Sequence, residues 1–164
     1  MSWIAPITYE TASPEVREIL DHKEKDYLER CSKFAYQLRN HVVYDSVETN
    51  AWRMDGEVQR VVGKRYGDLL EYYVSLENGA VIAVPYYKKC LMDAGIDPDH
   101  TVFDEKDRSV IDFAKAIAGN KGHVPTEVKT ALKKYFTEEQ IAVLAGMAVV
   151  CNADNLYDNI FEVE

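Results

Sequence analysis

The chain has 164 residues, a formal net charge of −9 and a pI near 5.0. That acidity argues against nucleic acid and anionic membrane surfaces as partners, because both are polyanions. With 47% hydrophobic and 29% charged residues, the composition is that of a globular protein long enough for one domain with a sizeable core.

The opening "MSWIAPITYE" has neither a basic segment nor a long apolar one, so no signal peptide is expected. Three cysteines, Cys31, Cys90 and Cys151, stand far apart with no CxxC, which points to a reducing, cytoplasmic setting. "SPEVREILDHKEKDYLERC" predicts a helix with Ser13 as N-cap and Pro14 in the first turn, where its missing N–H costs nothing. Its stripe is Val16, Ile19 and Leu20, extended by Tyr27 and Leu28. The next segment, to about Val62, has mixed apolar spacing and predicts two short helices. "KRYGDLLEYYVSLENG" predicts another, with Leu69, Leu70, Tyr73 and Leu76 on one face and Asn78-Gly79 as its stop.

A helix from about residue 80 to Ala94 follows, closed by Gly95, with Pro85 tolerated only near its start. "IDPDHTV" reads as a loop. "EKDRSVIDFAKAIAGN" is amphipathic through Val110, Phe113, Ala114 and Ile117, and "PTEVKTALKKYF" is a short helix. "TEEQ" at 137–140 fits a capping box opening the last helix. That helix is apolar almost all round from Ile141 to Cys151, which predicts a buried central position but is too short to cross a bilayer, a span of roughly 20 residues. No segment alternates with a period of two. The expectation is an all-α protein of about seven or eight helices.

Most chemical motifs are absent. Gly63-Lys64 lacks the rest of a phosphate loop, and "DPDHTVFDEKD" lacks the glycine and order of an EF-hand. His22, His41, His100 and His123 are scattered without metal-ligand spacing, and no GxSxG occurs. No metal or cofactor is expected. Cys90 and Cys151 sit in apolar-patterned helices, where a buried, inert thiol is the ordinary outcome.

Two spans carry a resemblance: "RYGDLLEYYVSLENGAVIAVPYYKKCLMDAGI" and "RSVIDFAKAIAGNKGHVPTEVKTALKKYFTEEQIAVLAGMAVVCNADNLYDN". Together with "APITYETASPEVREIL" they resemble the AhpD-like, or carboxymuconolactone decarboxylase-like, superfamily in order and spacing, most weakly at about 30–60. The resemblance implies a helical bundle and a homo-oligomer, a trimer or dimer of trimers. In the peroxidase members the helix carries N-G-C-x-x-C-x-x-x-H, preceded by a glutamate. Counted from Asn78-Gly79, the two cysteines fall on Ala80 and Ala83, the histidine on Tyr87 and the glutamate on Asp68. The family's Asn-Arg pair reads Asn155-Leu156.

A dithiol at a helix N-terminus reduces peroxide through a sulfenic acid and a disulfide, and alanine can do neither. The implied function is therefore a protein without dithiol peroxidase activity, binding a small organic molecule in the former active-site pocket. Asp68 and Tyr87 are the candidate proton-handling residues. Ala80, Ala83, Tyr86 and Cys90 are the candidate pocket residues. Three alternatives stand beside this: an acid–base enzyme of decarboxylase, isomerase or lactone type using Asp68 and Tyr87; a single-cysteine peroxidase on Cys90; and a purely structural oligomer subunit. Asp68 could instead pair with Arg65, and Tyr86 and Tyr87 could be core tyrosines.

Overall fold

The structure is a computed structural model that describes residues 3–30 and 32–163; Cys31 lies outside them. All regular structure among the described residues is helical. The order is α1 (Pro14–Asp21), α2 (Tyr27–Arg30), α3 (Phe34–Gln37), α4 (His41–Tyr44), α5 (Asn50–Val61), α6 (Lys64–Glu77), α7 (Ala83–Asp93), α8 (Glu105–Gly119), α9 (Thr126–Lys133) and α10 (Glu138–Ile160). Residues Asp45–Thr49 form a π-helical turn joining α4 to α5 without a break. The excess over the expected number comes from the single turns α2 to α4.

Helix α6 is the hub. It packs against α5, α7, α8 and α10, and Leu69, Leu70 and Val74 are fully buried. Helix α10 is central too, packing against α5, α6, α8 and α9, and only the expectation that its apolar surface is buried all round is corrected. Helix α10 buries one stripe, Leu144, Met147, Ala148, Cys151 and Asn155, while Val149 on its outer side is 62% exposed. Leu76, placed on the buried face of α6 by its spacing, is exposed instead. The first helix stops at Asp21 rather than running to Cys31. After Leu20 the chain offers only Asp21 to Asp26, all polar, so a continued helix would bury nothing for two turns. Tyr27 re-enters by stacking on Phe34, with ring centroids 4.5 Å apart.

Two Schellman stops set the frame of the bundle. At the end of α6, Gly79 adopts φ 61°, its N–H bonds Leu76 O at 3.1 Å, and the Ala80 N–H bonds Ser75 O at 3.0 Å. At the end of α7, Gly95 has φ 77°, its N–H bonds Met92 O at 2.9 Å, and Ile96 N–H bonds Leu91 O at 2.8 Å. The capping box of α10 forms as read: Thr137 Oγ1 accepts from Gln140 N–H at 3.2 Å, and Gln140 Oε1 accepts from Thr137 N–H at 3.0 Å.

A second apolar cluster, with Ile7, Val16, Leu20, Leu38 and Tyr44 at its heart, sits under the N-terminal third. It is tied to α10 by Lys33 and Gln37, which both donate to Asp154, at 2.7 and 3.1 Å. The Trp3 indole N–H also bonds Ile160 O at 2.8 Å.

A candidate small-molecule cleft

Four helical segments turn a stripe toward one cleft of about 530 Å³. From α6 come Lys64, Asp68 and Glu71, at i, i+4 and i+7. From α7 come Ala83, Tyr86, Tyr87 and Cys90, at i, i+3, i+4 and i+7. The π turn and α5 add Glu48, Ala51, Trp52, Asp55 and Gln59, and α10 adds Asp154 and Asp158. The extra residue of the π turn shifts the helical register where Glu48 faces the cleft, a placement often found beside sites.

The α7 helix begins at Ala83, not at residue 80. Ala80 belongs to the α6 stop and is buried with its N–H spent on Ser75, so it does not line the cleft. Of the two alanines aligned with thiols, only Ala83 presents its methyl there. Pro85 is the third residue of α7, where its missing N–H breaks no helical bond.

Asp68 and Tyr87 both line the cleft, but they do not hold each other. Asp68 is buried and is gripped by Lys64 Nζ at 2.7 and 2.8 Å; Arg65 turns the other way, onto Asp107, at 2.6 and 2.9 Å. The pairing of Asp68 with Arg65 is therefore corrected: i+4 on the cleft side wins over i+3. Tyr87 instead donates its hydroxyl to Glu71 Oε1 at 2.8 Å. Glu71, 2% exposed, was not among the sequence candidates. Burial pushes its carboxyl up to about 8, aided by the charges of Asp55 and Asp68 and opposed by the Tyr87 hydrogen bond and Lys64. Burial and the facing Glu71 also hold the Tyr87 hydroxyl well above its ordinary range, so it stays a donor.

A second polar group closes the cleft at α10. Lys33 pairs with Glu48 and with Asp154, the latter at 2.7 Å. Burial alone would lower the lysine's pKa, but the two carboxylates overcome it and hold the ammonium above its ordinary range. Asp158, 3% exposed, is pushed up to about 7 by burial and then by the charge of Asp154. Its Oδ1 has no hydrogen-bond partner among the described residues. No group of three or more His, Cys, Asp or Glu among the described residues has the arrangement to hold a metal ion.

Tyr86 is 62% exposed at the cleft mouth, its ring edge-on to that of Tyr87. Cys90 is half-buried; burial and then the charge of Asp68 push its thiol up, which disfavours the thiolate. Cys151 is buried beneath Glu71, bonded to its carbonyl oxygen at 3.8 Å, and burial drives its thiol to about 12. Asn155, aligned with the family's asparagine, is buried and donates to Ser75 Oγ at 3.0 Å, joining α10 to α6.

No family model matches the chain, and no curated protein matches it. Among solved structures it is similar to a crystal structure of a protein of unknown function from Agrobacterium tumefaciens, named there as a candidate antioxidant defence protein AhpD. The identity is 16%, the match spans 78% of this chain and 96% of that one, and the TM-score is 0.65. None of the described helices is long and apolar enough to cross a membrane. At that identity the likeness speaks to architecture, and the chain has the AhpD-like all-helical fold.

Proposed function

We propose that this protein binds a small organic molecule in the cleft between α5, α6, α7 and α10, and that the Glu71–Tyr87 pair is its polar contact. The observation that carries the reading is a buried carboxyl, hydrogen-bonded by a tyrosine at 2.8 Å, in a cleft of about 530 Å³. Cavities of that size with aromatic walls and a few convergent polar groups are where small ligands bind. An open cleft also speaks against a purely structural subunit, for which a collapsed pocket is expected.

The test is a titration of the 15N-labelled protein with a panel of small aromatic molecules. Saturable shifts of the Trp52 indole and of Tyr86 and Tyr87 are expected, and Ala83→Phe, which fills the cleft, should weaken binding at least tenfold. Absence of saturable shifts across the panel, or shifts confined to another surface, contradicts the reading.

A second reading is acid–base catalysis, and Glu71 favours it. A carboxyl held near 8 can both accept and return a proton at neutral pH, and Tyr87 can orient an oxygen beside it. Glu71 then takes the role that the family resemblance gave to Asp68, while Asp68 holds Lys64. The single-cysteine peroxidase draws no comparable support, because Cys90 sits where its thiolate is disfavoured and no other thiol lines the cleft among the described residues. We expect no turnover of alkyl hydroperoxides above that of free thiol; turnover lost in Cys90→Ser would restore that reading.

A further inference from the structure

The two oxygens of the buried Glu71 have different surroundings. Oε1 accepts the Tyr87 hydroxyl at 2.8 Å. Oε2 has no hydrogen-bond partner among the described residues, yet it is not sealed in as Asp158 Oδ1 is, and the residue lines the cleft. Oε2 is therefore the open end of the carboxyl, turned to the cavity. No cation among the described residues pairs with it: Lys64 is held by Asp68, and Arg65 by Asp107. A buried carboxylate without a cation is costly, so the acid keeps its proton, in keeping with its raised value of about 8. With Oε1 accepting from Tyr87, that proton sits on Oε2. A carboxylic acid kept neutral in an apolar site is a hydrogen-bond donor.

The surroundings select what meets that donor. Ala51, Trp52, Ile82, Ala83 and Tyr86 give the cleft apolar walls. A carboxylate ligand would bring its charge beside Asp55 and Asp68, whose charges already act on Glu71. An ammonium ligand would need Glu71 as a carboxylate and would have to drive off its proton first. A neutral carbonyl oxygen meets neither cost and accepts from the acid directly.

We infer that the cleft takes a neutral carbonyl compound, a ketone, ester or amide with an apolar body, whose carbonyl oxygen accepts a hydrogen bond from Glu71 Oε2. This rests on the ligand-binding reading above and names the ligand's class. Tyr87 is a positioning residue: by occupying Oε1 it leaves the proton of Glu71 on the side of the ligand. The titratable and charged groups that act on Glu71 or are acted on by it are Lys64 and Asp68 on α6, Asp55 on α5, Tyr86, Tyr87 and Cys90 on α7, and Cys151 on α10. Both tyrosines and both thiols are held above their ordinary ranges, so they keep their protons where Glu71 loses its own.

The experiment titrates the protein with three probes of nearly equal shape, acetophenone, benzoate and benzylammonium, followed by NMR at pH 6.5. Acetophenone should bind in the cleft at least tenfold tighter than either ion. Its affinity should fall roughly tenfold by pH 9, about one unit above the Glu71 value. Glu71→Gln offers an amide N–H at every pH, so it should keep acetophenone binding within about threefold and show no such fall; this also separates Glu71 from Asp158, which titrates lower. With acetophenone labelled at its carbonyl 13C, the bound signal should lie downfield of the one seen in Glu71→Leu, where the donor is gone. Benzoate or benzylammonium binding the cleft as tightly as acetophenone overturns the inference but spares the ligand-binding reading. Binding of none of the three overturns both. A flat pH profile in the natural protein, or the same carbonyl signal in Glu71→Leu, overturns the assignment of Glu71 as donor. Where the leucine variant does not fold, the pH profiles of the natural protein and of Glu71→Gln decide.

Discussion

At the residue scale the main result is a change of carboxyl. The family resemblance, aligned on Asn78-Gly79, puts the glutamate position on Asp68, which lines the cleft but is held by Lys64. The carboxyl that meets Tyr87 lies three residues further along α6, on the same face. Its signal was present in the sequence: Glu71 is a lone acid inside the apolar run "LLEYYV". The direction of coupling yields a prediction. Tyr87 donates to the charged form of Glu71 and so lowers its pKa against the upward push of burial. Tyr87→Phe should therefore raise the Glu71 pKa further. A 13C titration of the glutamate side-chain carboxyls reads this directly, and a downward shift would contradict the arrangement. Lys33 is a second residue absent from the sequence reading. Removing one partner of a buried ion pair costs about 3–5 kcal/mol, so Lys33→Met should lose roughly that much in a urea unfolding experiment.

At the element scale, local signals were legible and tertiary ones were not. The caps of α1 and α10, the glycine stops at 79 and 95 and the near-start position of Pro85 could be read because each is decided within one turn. Thr137→Ala should cost about 1 kcal/mol by opening the capping box. Gly79→Ala should cost about 1–2 kcal/mol, because a Cβ is strained at φ 61°. A loss below about 0.3 kcal/mol in either variant would show that the stop or cap is not under load. Illegible were the π turn at Asp45–Thr49, the half-buried Asp154 and the buried Asp158. Both aspartates stand in the polar segment "CNADNLYDN", and Lys33 and Gln37 reach Asp154 only once the fold brings the 33–38 segment against α10. The fuller burial of α6 than of α10 was also hidden. α10 carries more apolar residues and packs against as many helices, yet Val149 on its outer side stays exposed, which the residue pattern alone does not show.

At the scale of the whole molecule, the trimer or hexamer implied by the family resemblance is a proposal in its own right. Sedimentation equilibrium at micromolar protein should give a multiple of 18.7 kDa, and a monomer alone would contradict it. The pH dependence of stability follows from the cleft. Glu71, near 8, and Asp158, near 7, both have folded pKa values raised above their unfolded ones of about 4. The folded chain then binds more protons than the unfolded one between those limits, so stability falls as pH rises through that window. The groups facing Glu71 are Tyr87, Lys64, Asp68 and Asp55, and those facing Asp158 are Asp154, Lys33 and Glu48. None of the lysines among them changes charge below about pH 9. For Glu71 alone the loss is at most about 1.4 kcal/mol per pH unit. The central claim is that a buried acid in the cleft keeps its proton at neutral pH, and urea unfolding of the natural protein and of Glu71→Gln at pH 5.5 and 8.5 tests it most directly. The account predicts that the natural protein is markedly less stable at pH 8.5 and that Glu71→Gln removes much of the difference; equal pH dependence in the two proteins, or greater stability of the natural protein at pH 8.5, would contradict it.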